Sequence, residues 1–242
     1  MMPTIVKLAA GVGKRLQPLT CSSPKSLLDI GNDQTLLDSQ LEALAGCGVR
    51  RVRFVLGYRA EQIEAALTGY PGFDFEVVYN PFYKMSDNLI SAWMGLRELS
   101  GHVLLINGDN MYSPAILEQL IRADHAISMA VRKKETYDPD DMKVFMKDNL
   151  IVDIGKELDP ASTDGESMGM VSFRHDGLAS VWATLDRMVR SEENLTAFYL
   201  AALRRLMYES YPVHATEYDG GDWAEIDLVE DLETVRHLRR NR

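Results

Sequence analysis

Two glycines and three cations lie close together near the start of the chain, in "KLAAGVGKRLQPLTCSSPKSLLDI". Gly11 and Gly13 are followed by Lys14, Arg15 and Lys25. Glycines let backbone N–H groups approach phosphate oxygens closely, and cations can neutralise those oxygens. The alternative interpretation is a surface turn whose cations are solvated. These five residues alone do not decide between a phosphate-binding loop and a solvated turn.

Two common phosphate-binding fingerprints do not fit this segment. The dinucleotide motif G-x-G-x-x-G would need a glycine where Leu16 stands. The P-loop motif would need four residues between its glycines, whereas one residue separates Gly11 from Gly13. If the segment binds phosphate, it does so as a different kind of loop between a first strand and a first helix.

An alternation of strands and helices surrounds this loop. The pattern predicts strands in "TIVKLAA", "RVRFVLGY", "FDFEVVYN" and "HVLLIN", and helices in "LLDSQLEALAGCG", "AEQIEAAL", "DNLISAWMGLREL" and "SPAILEQLIRA". After Ala130 it predicts a hairpin around Asp148 and Asn149, two helices in "DGLASVWATLDRMVR" and "NLTAFYLAALRRLMY", a strand in "YPVHATEY" and a closing helix over "DLVEDLETVRHLRR". Strands separated by helices are typical of βαβ units, so we predict an α/β fold with a three-layer, Rossmann-like, mixed and mainly parallel sheet.

The composition limits the kinds of partner. The 242 residues carry 36 acidic and 26 basic side chains, a net charge of -10, which argues against nucleic acid because phosphate backbones need a basic face. The two cysteines, Cys21 and Cys47, predict neither a disulfide framework nor a zinc site. No apolar run is long enough to predict a signal peptide or a membrane span. We expect a single cytoplasmic domain over 1–242, with no nucleic-acid or membrane partner.

The longer stretch "LAAGVGKRLQPLTCSSPKSLLDI" resembles the signature loop of the sugar-nucleotide pyrophosphorylase and small-molecule nucleotidyltransferase family, roughly L-A-A-G-x-G-[ST/K]-R-[LM]-x-P-L-T-x-x-x-P-K-x-L. The resemblance implies a sheet of the nucleoside-diphosphate-sugar transferase type and a loop that binds a nucleoside triphosphate. It implies catalytic roles for two cations: Arg15 would contact the β- and γ-phosphates, and Lys25 would contact the α-phosphate. The residues expected to bind the nucleotide are Leu8, Ala9, Ala10, Gly11, Gly13 and Lys14.

The same resemblance implies two carboxylates that hold a metal. Asp109 follows the apolar run "HVLLIN", and Asp227 lies in "DWAEIDLVEDL", which is similar to the family's closing motif W-x-x-I-D-x-x-x-D-L. With phosphate oxygens and water they would suit Mg²⁺, and Asp109 would count as catalytic. The alternative for Asp109 is a turn or N-cap aspartate, and the alternative for Asp227 is the N-cap of the final helix. Asp222 and Glu225 are rival ligands, and Asp231 is expected on a helix face.

Two later segments, "YNPFYKMSDNLISAWMGL" and "DIGKELDPASTDGESMGMVSF", resemble a smaller branch of the family that includes phosphocholine and 2-aminoethylphosphonate cytidylyltransferases. The resemblance implies that Ser86 and Asn88 contact the base or ribose, and that Lys156 holds the phosphate or phosphonate of the second substrate. The alternative for the first segment is that Asp87 caps a helix whose apolar side chains simply pack, and the alternative for Lys156 is an exposed hairpin lysine. The candidates for binding an amine on that substrate are Glu166, Tyr137, Trp223, Tyr199 and Asp222.

We therefore expect an Mg²⁺-dependent cytidylyltransferase that couples CTP to a small phosphorylated or phosphonylated amine and releases pyrophosphate. The nucleotide-binding half would span about 1–130 and the acceptor-binding half about 131–242. A sugar-1-phosphate nucleotidyltransferase using UTP, dTTP or GTP and a non-catalytic regulatory relative stay open. A glycosyltransferase is disfavoured because such enzymes carry a D-x-D metal motif after the fourth strand. Here the fourth predicted strand, "HVLLIN", ends in "GDN", with no second aspartate. Whether the chain forms a homodimer is also open.

Overall fold

The computed structural model describes residues 2–240. Its strands are β1 (Thr4–Ala9), β2 (Arg51–Leu56), β3 (Asp74–Tyr79), β4 (Val103–Asn107), β5 (Asn110–Met111), β6 (Ile127–Arg132), β7 (Lys143–Lys147), β8 (Leu150–Gly155), β9 (Gly165–Phe173), β10 (His214–Glu217) and β11 (Ala224–Glu225). Its helices are α1 (Leu36–Gly46), α2 (Ala60–Leu67), α3 (Asn88–Leu96), α4 (Pro114–Arg122), α5 (Gly177–Met188), α6 (Leu200–Tyr208) and α7 (Val229–Arg240). Within 2–240, no helix is both long and apolar enough to cross a membrane.

Nine of the strands form one sheet in the order β3-β2-β1-β4-β9-β6-β10-β8-β7. β1 pairs in parallel with β2 and β4, and β2 pairs in parallel with β3. β9 is antiparallel to β4 and β6, and β8 is antiparallel to β7 and β10. The other seven strands share one direction, so the predicted mixed and mainly parallel sheet is confirmed. Strands from both predicted halves of the chain belong to it.

Helices cover both faces of this sheet. Side chains alternate between the faces along a strand, so Val6 and Leu105 point to one side while Ile5 and Leu104 point to the other. Val6 and Leu105 share a core with apolar residues of α3, α5 and α6. Ile5 and Leu104 share a second core with residues of α1, α2 and α4. These two cores produce the predicted three layers.

A third, smaller core joins early and late parts of the chain. Leu16 and Ile30, from the loop after β1, pack with Ile226, Leu232 and Val235. Leu232 and Val235 lie on α7, and Ile226 lies just before it. The packing therefore holds α7 and the segment before it against the glycine-rich opening loop.

Two central strands, β6 and β9, are not predicted by the alternation of apolar residues. Both are buried over nearly their whole length, on both faces, so their sequences "ISMAVR" and "GESMGMVSF" lack the polar and apolar alternation of a half-exposed strand. The pattern also places the second late helix too early, because α6 begins at Leu200 after a short turn over Glu192–Asn194. The period-two pattern of apolar residues therefore does not identify strands that are buried on both faces.

The predicted hairpin is present as β7 and β8. Asp148 and Asn149 have φ angles of 51° and 63°, the left-handed conformation that both central residues of a type I′ turn adopt. Asp and Asn both tolerate that conformation, so the predicted pair forms the turn. The hairpin brings Lys156, just after β8, to the same side of the sheet as the opening loop.

Candidate active site

A cleft of about 770 Å³ opens where β1 and β4 end. Ligands of open α/β sheets usually bind at this carboxyl edge. The predicted site residues that line it are Leu8, Ala9, Ala10, Gly11, Gly13, Arg15, Lys25, Ser86, Asn88, Asp109, Lys156, Glu166, Trp223 and Asp227. The fold thus gathers residues from most of the length of the chain around one cleft.

The opening loop is held by its own backbone. Gly13 has a φ of 66°, a left-handed conformation that glycine adopts without strain. The hydroxyl of Thr20 donates to the carbonyl of Gly13 at 2.8 Å, and the N–H of Tyr58 donates to the carbonyl of Ala10 at 3.0 Å. Around Gly11 an added Cβ would meet no atom within 4 Å. The loop therefore leaves open space beside its backbone, as the approach of a phosphate requires.

A two-stranded sheet brings the late carboxylates to Asp109. β11 pairs antiparallel with β5, which places Glu225 opposite Asn110. The N–H of Ile226 donates to the carbonyl of Asp109 at 3.1 Å. As a result Asp109, Glu225 and Asp227 each offer a carboxylate oxygen, and these oxygens lie within 4.8 Å of one another.

The predicted cations contact these carboxylates directly. Lys25 Nζ lies 3.1 Å from Asp109 Oδ2 and 2.6 Å from Asp227 Oδ1. Arg15 Nη2 lies 2.5 Å from Asp227 Oδ2. Burial alone would lower the pKa of Lys25, but the two carboxylates raise it above its usual value. Burial would likewise raise the pKa of Asp227, and Lys25 and Arg15 bring it below its usual range. Both groups are charged near neutral pH.

The three carboxylates fit a hard divalent cation. Asp109 Oδ1 is buried and accepts no hydrogen bond from any described residue. Loss of hydration and repulsion from Asp109 and Asp227 raise the pKa of Glu225 to about 8. A divalent ion would supply a partner for the first group and relieve the repulsion on the second, and carboxylate oxygens are ligands that Mg²⁺ accepts. Glu225, named from the sequence only as a rival, is thus a third candidate ligand beside Asp109 and Asp227.

The structure places Asp227 before α7, which begins at Val229, so Asp227 is not the cap of that helix. Asp231 lies in the first turn of α7, and its Oδ2 accepts from the N–H groups of Asp227 and Leu228 at 2.9 and 2.7 Å, as the third helical residue of a capping box does. The rival Asp222 lies outside the cleft lining, and its carboxylate accepts from the hydroxyl of Tyr218 at 2.5 Å.

Ser86 and Asn88 line the cleft, but each side chain also makes a hydrogen bond within the protein. The Ser86 hydroxyl donates to the carbonyl of Phe82 at 3.0 Å, and Asn88 Oδ1 accepts from the N–H of Tyr199 at 2.8 Å. Asp87, the expected helix cap, occupies the N-cap position of α3 without a capping hydrogen bond from its side chain. Contacts from Ser86 and Asn88 to a base or ribose stay a prediction.

Of the remaining substrate candidates, Glu166 and Trp223 lie in the wall and Lys156 on the rim, where its Nζ is 3.4 Å from Asp140 Oδ1. Tyr137 does not line the cleft, and its hydroxyl accepts from the N–H of Lys134 at 3.2 Å. Tyr199 is fully buried in the core beneath α6 and is no part of the wall. Lys14 is exposed and also lies outside the lining.

Sequence reasoning missed two cations of this wall, Arg132 and Lys134. They stand two residues apart at the end of β6 and line the cleft, whereas Lys133 between them points away to an ion pair with Glu217 at 2.7 Å. Side chains alternate along an extended chain, so the run "VRKK" places its first and last cations on one side. That alternation was the available signal, but it could be used only once β6 was recognised as a strand.

The α/β fold and this cleft are those of a nucleotidyltransferase: an open glycine-rich loop, two cations directed into the cleft, and a group of carboxylates in contact with them. The chain belongs to the MobA-like NTP transferase domain family, whose model matches residues 5–207.

Its relatives include the CTP:phosphoglutamine cytidylyltransferase of Campylobacter jejuni, 26% identical over 93% of this chain and 96% of that protein. The choline-phosphate cytidylyltransferase of Streptococcus pneumoniae is 24% identical over 97% of both chains. The predicted resemblance to the cytidylyltransferase branch of the nucleotidyltransferases is confirmed.

Solved structures confirm the fold. The CTP:phosphocholine cytidylyltransferase from Streptococcus pneumoniae superposes with a TM-score of 0.80 at 21% identity, over 99% of this chain and 100% of that one. The inositol-1-phosphate CTP transferase from T. maritima gives a TM-score of 0.82 at 22% identity, over 99% and 95%. The α/β fold is thus of the nucleoside-diphosphate-sugar transferase type.

Proposed function

We propose that this protein transfers a cytidylyl group from CTP to a phosphate or phosphonate oxygen of a small acceptor and releases pyrophosphate. The observation that carries the proposal is the group formed by Lys25, Arg15, Asp109 and Asp227, which places two cations and two carboxylates at the mouth of the opening loop. The names of the full-length relatives, which act with CTP on phosphoglutamine and on choline phosphate, support the choice of nucleotide and of acceptor.

Lys25 is the residue best placed to stabilise the reacting centre. Its side chain is 15% exposed and is held between two carboxylates. A fixed cation acts most strongly on charge that develops in the transition state, here on the α-phosphoryl group. Arg15 is half exposed, and its planar guanidinium suits the terminal phosphates of a triphosphate. The loop backbone from Leu8 to Gly13 would hold the remaining phosphate oxygens.

Asp109, Asp227 and Glu225 would hold Mg²⁺. When bound, the ion neutralises charge on the triphosphate and on the departing pyrophosphate. The chain's own task at this point is to keep carboxylate oxygens together. The pairing of β5 with β11 does so by fixing the backbone of Asp109 against Ile226.

The reaction needs no covalent intermediate on the protein. An acceptor oxygen attacks the α-phosphorus in line, and the bond from that phosphorus to the bridging oxygen of pyrophosphate breaks as the new bond forms. The acceptor phosphate or phosphonate is ionised at neutral pH and brings its own electron pair, so no general base is required. Lys156 on the rim would orient the acceptor, and positioning would supply much of the rate.

The test is pyrophosphate release by the purified chain with Mg²⁺. CTP, UTP, GTP and dTTP are each combined with phosphocholine, phosphoethanolamine, 2-aminoethylphosphonate and glucose-1-phosphate. We expect release with CTP and an amine-bearing acceptor, with CTP preferred over UTP by about ten- to hundredfold, since a lost hydrogen bond to the exocyclic amine costs about 1–3 kcal/mol. Release only with another nucleotide and the sugar phosphate would overturn this proposal and leave the nucleotidyltransferase assignment standing.

A further inference from the structure

The acceptor end of the cleft is the part lined by Arg132, Lys134, Glu166 and Trp223. Its buried carboxylate, that of Glu166, already has cationic partners. The side chain of Glu166 is 5% exposed, and its Oε1 accepts from Arg132 Nε. Its Oε2 lies 2.9 Å from Lys134 Nζ, which also contacts Asp141 Oδ2 at 2.6 Å. Each oxygen of Glu166 is therefore matched by a positive charge of the protein. An amine on the acceptor would have to compete with two fixed cations for this carboxylate.

The aromatic surface at this end is also covered. The guanidinium carbon of Arg132 lies 4.4 Å from the centre of the Trp223 ring, and Trp223 is 7% exposed. Tyr199, the other aromatic candidate, is fully buried in the core. A quaternary ammonium group binds best to an open aromatic face. Arg132 already covers one face of the Trp223 ring, and little of the ring is exposed.

Arg132 keeps two donor groups for a ligand. Its side chain is 34% exposed and lines the cleft. Within residues 2–240, Nε donates to Glu166, while neither terminal nitrogen of Arg132 donates to a protein group. Glu166 fixes one edge of the guanidinium and Trp223 fixes one face, so the orientation of the two terminal nitrogens is set in advance. Paired N–H groups of this kind match a carboxylate through two parallel hydrogen bonds.

We propose that the acceptor carries a carboxylate in addition to its reacting phosphate or phosphonate, and that Arg132 binds this carboxylate. The proposal rests on the proposed function, because it assigns the reacting group to the end of the cleft near Lys25 and Lys156. Asp138, an exposed acidic residue of the cleft lining, is the candidate partner of an amine beside the carboxylate, since Asp140 already contacts Arg15 at 3.3 Å and Lys156 at 3.4 Å. The substrate class is thus a phosphorylated or phosphonylated amino acid, and Arg132 is its specificity-determining residue.

Two matched pairs of acceptors test this. O-Phosphoserine and phosphoethanolamine differ by one carboxylate, as do 2-amino-3-phosphonopropionate and 2-aminoethylphosphonate. With CTP and Mg²⁺, we expect kcat/KM to favour the carboxylated member of each pair by at least about tenfold, the usual scale of a charge-assisted hydrogen bond. Equal values within each pair would overturn the proposal.

Substitution of Arg132 separates two possible ligands of its guanidinium. Arg132→Gln should remove the preference, because kcat/KM for the carboxylated member of each pair should fall at least about tenfold further than kcat/KM for its partner without the carboxylate. Arg132→Lys keeps the charge without the paired donors, and should fall between the two. An equal loss for both members of a pair would show that Arg132 binds the reacting phosphate. Arg187→Gln, which removes an exposed arginine paired with Glu209 outside the cleft, is the control.

A binding measurement keeps this proposal separate from the proposed function. Titration calorimetry with the four acceptors, without nucleotide, should show tighter binding of the carboxylated members to the wild-type chain and to Arg187→Gln, and no difference for Arg132→Gln. If no acceptor supports pyrophosphate release, the proposed function fails, and the binding preference still decides on Arg132. If Arg132→Gln does not fold, Arg132→Lys carries the comparison, because it retains a cation beside Glu166.

Discussion

At the nucleotide end of the cleft, the loop backbone and the cations Arg15 and Lys25 come from one continuous segment, whereas Arg132, Glu166 and Trp223 at the acceptor end come from distant parts of the chain. A phosphate chain can be held by one short loop, because backbone N–H groups and nearby cations suffice. Recognition of a small polar acceptor needs charges placed on several sides of it. Only the folded sheet brings such charges together, so the acceptor end leaves no compact sequence motif.

The two ends also differ in how their charges are matched. At the nucleotide end, Asp109 Oδ1 is buried without a hydrogen-bond partner among the described residues, and Glu225 is crowded by two other carboxylates. At the acceptor end, both oxygens of Glu166 have cationic partners. A site with surplus carboxylate oxygen calls for a cation, and a site with surplus guanidinium N–H calls for an anion. This contrast supports the proposals that the metal binds at the first end and that the acceptor's carboxylate binds at the second.

The largest expected effect is at the carboxylates. Asp109→Asn and Asp227→Asn should each lower pyrophosphate release by about 10³-fold with every acceptor, since each removes charge needed to hold Mg²⁺ on the triphosphate. The melting temperature without metal should change little, because relieving repulsion among three carboxylates offsets the lost ion pair with Lys25. Asp74→Asn, at an exposed pair with Arg51, is the control. Near-normal turnover of either variant would remove that residue from the ligand set.

Lys25 comes next. Lys25→Ala should lower kcat by about 10² to 10³, because a cation directed at the α-phosphoryl group stabilises charge that is greatest in the transition state. The KM for CTP should change far less. Steady-state kinetics over a range of CTP concentrations separates the two effects. A variant that only raised KM would make Lys25 a binding residue and leave the comparison between the two ends without its catalytic group.

These two ends show how much the sequence alone predicts. The opening loop and Asp227 are recognisable because their function needs fixed spacing within a short segment. Glu225 joins the site only through the pairing of β11 with β5, two strands of two residues each, which no periodicity predicts. Arg132 was missed because β6 is buried on both faces and so lacks the alternation that marks a strand. Local patterns therefore predict the opening loop, whereas long-range pairing decides which further residues reach the cleft, Glu225 at one end and Arg132 at the other.

At the acceptor end, Glu166→Gln should raise the KM for carboxylated acceptors by about tenfold and leave the KM for CTP within about twofold. The carboxylate of Glu166 orients Arg132, and a neutral amide would hold the guanidinium less firmly. Glu217→Gln is the matched control, because Glu217 pairs with Lys133 on the opposite side of the same strand end. An equal rise in both KM values would mean that the two ends do not act separately.

A buried lysine beneath the nucleotide end provides a stability test. Lys7 is 1% exposed, and its Nζ donates to the carbonyl of Asn107 at 3.2 Å and to the hydroxyl of Tyr112 at 3.4 Å. Burial lowers the pKa of Lys7 to about 7, against 10.5 for an ordinary lysine, although Asp109 works to raise it. Between these two pH values the unfolded chain binds more protons than the folded chain, so this residue makes the free energy of unfolding rise with pH.

Lys7→Met should therefore unfold at higher urea concentration than the wild type at pH 7, by about 1–3 kcal/mol in free energy, because a buried ammonium is replaced by an apolar side chain of similar length. The difference should narrow as the pH rises toward 10, where the folded wild type carries a neutral amine. Urea titrations at pH 7, 8 and 9 with a chelator measure it, and Lys147→Met, at an exposed position, is the control. A difference that stayed constant with pH would contradict the lowered pKa.

The smallest expected effect is at Asp231, which contacts the backbone of the proposed metal ligand Asp227. Asp231 Oδ2 accepts from the N–H groups of Asp227 and Leu228, and so ties the start of α7 to the carboxylate cluster. Asp231→Ala should lower the free energy of unfolding by about 1 kcal/mol, because the variant loses two hydrogen bonds from backbone N–H groups to a carboxylate at the start of the helix. The apparent affinity for Mg²⁺ should fall by less than about tenfold, since the pairing of β5 with β11 still holds the neighbouring backbone.

Asp159→Ala is the matched control for Asp231→Ala, because Asp159 caps the short turn Pro160–Ser162 outside the site through a 3.0 Å bond from the N–H of Ala161. Both variants lose a capping carboxylate, so both should lose a similar amount of stability. Mg²⁺ titrations followed by pyrophosphate release should then separate them, with a weaker metal response for Asp231→Ala alone. If the two variants responded to Mg²⁺ alike, the nucleotide end would depend on β5 and β11 without help from α7, and the packing of α7 on the opening loop would be structural only.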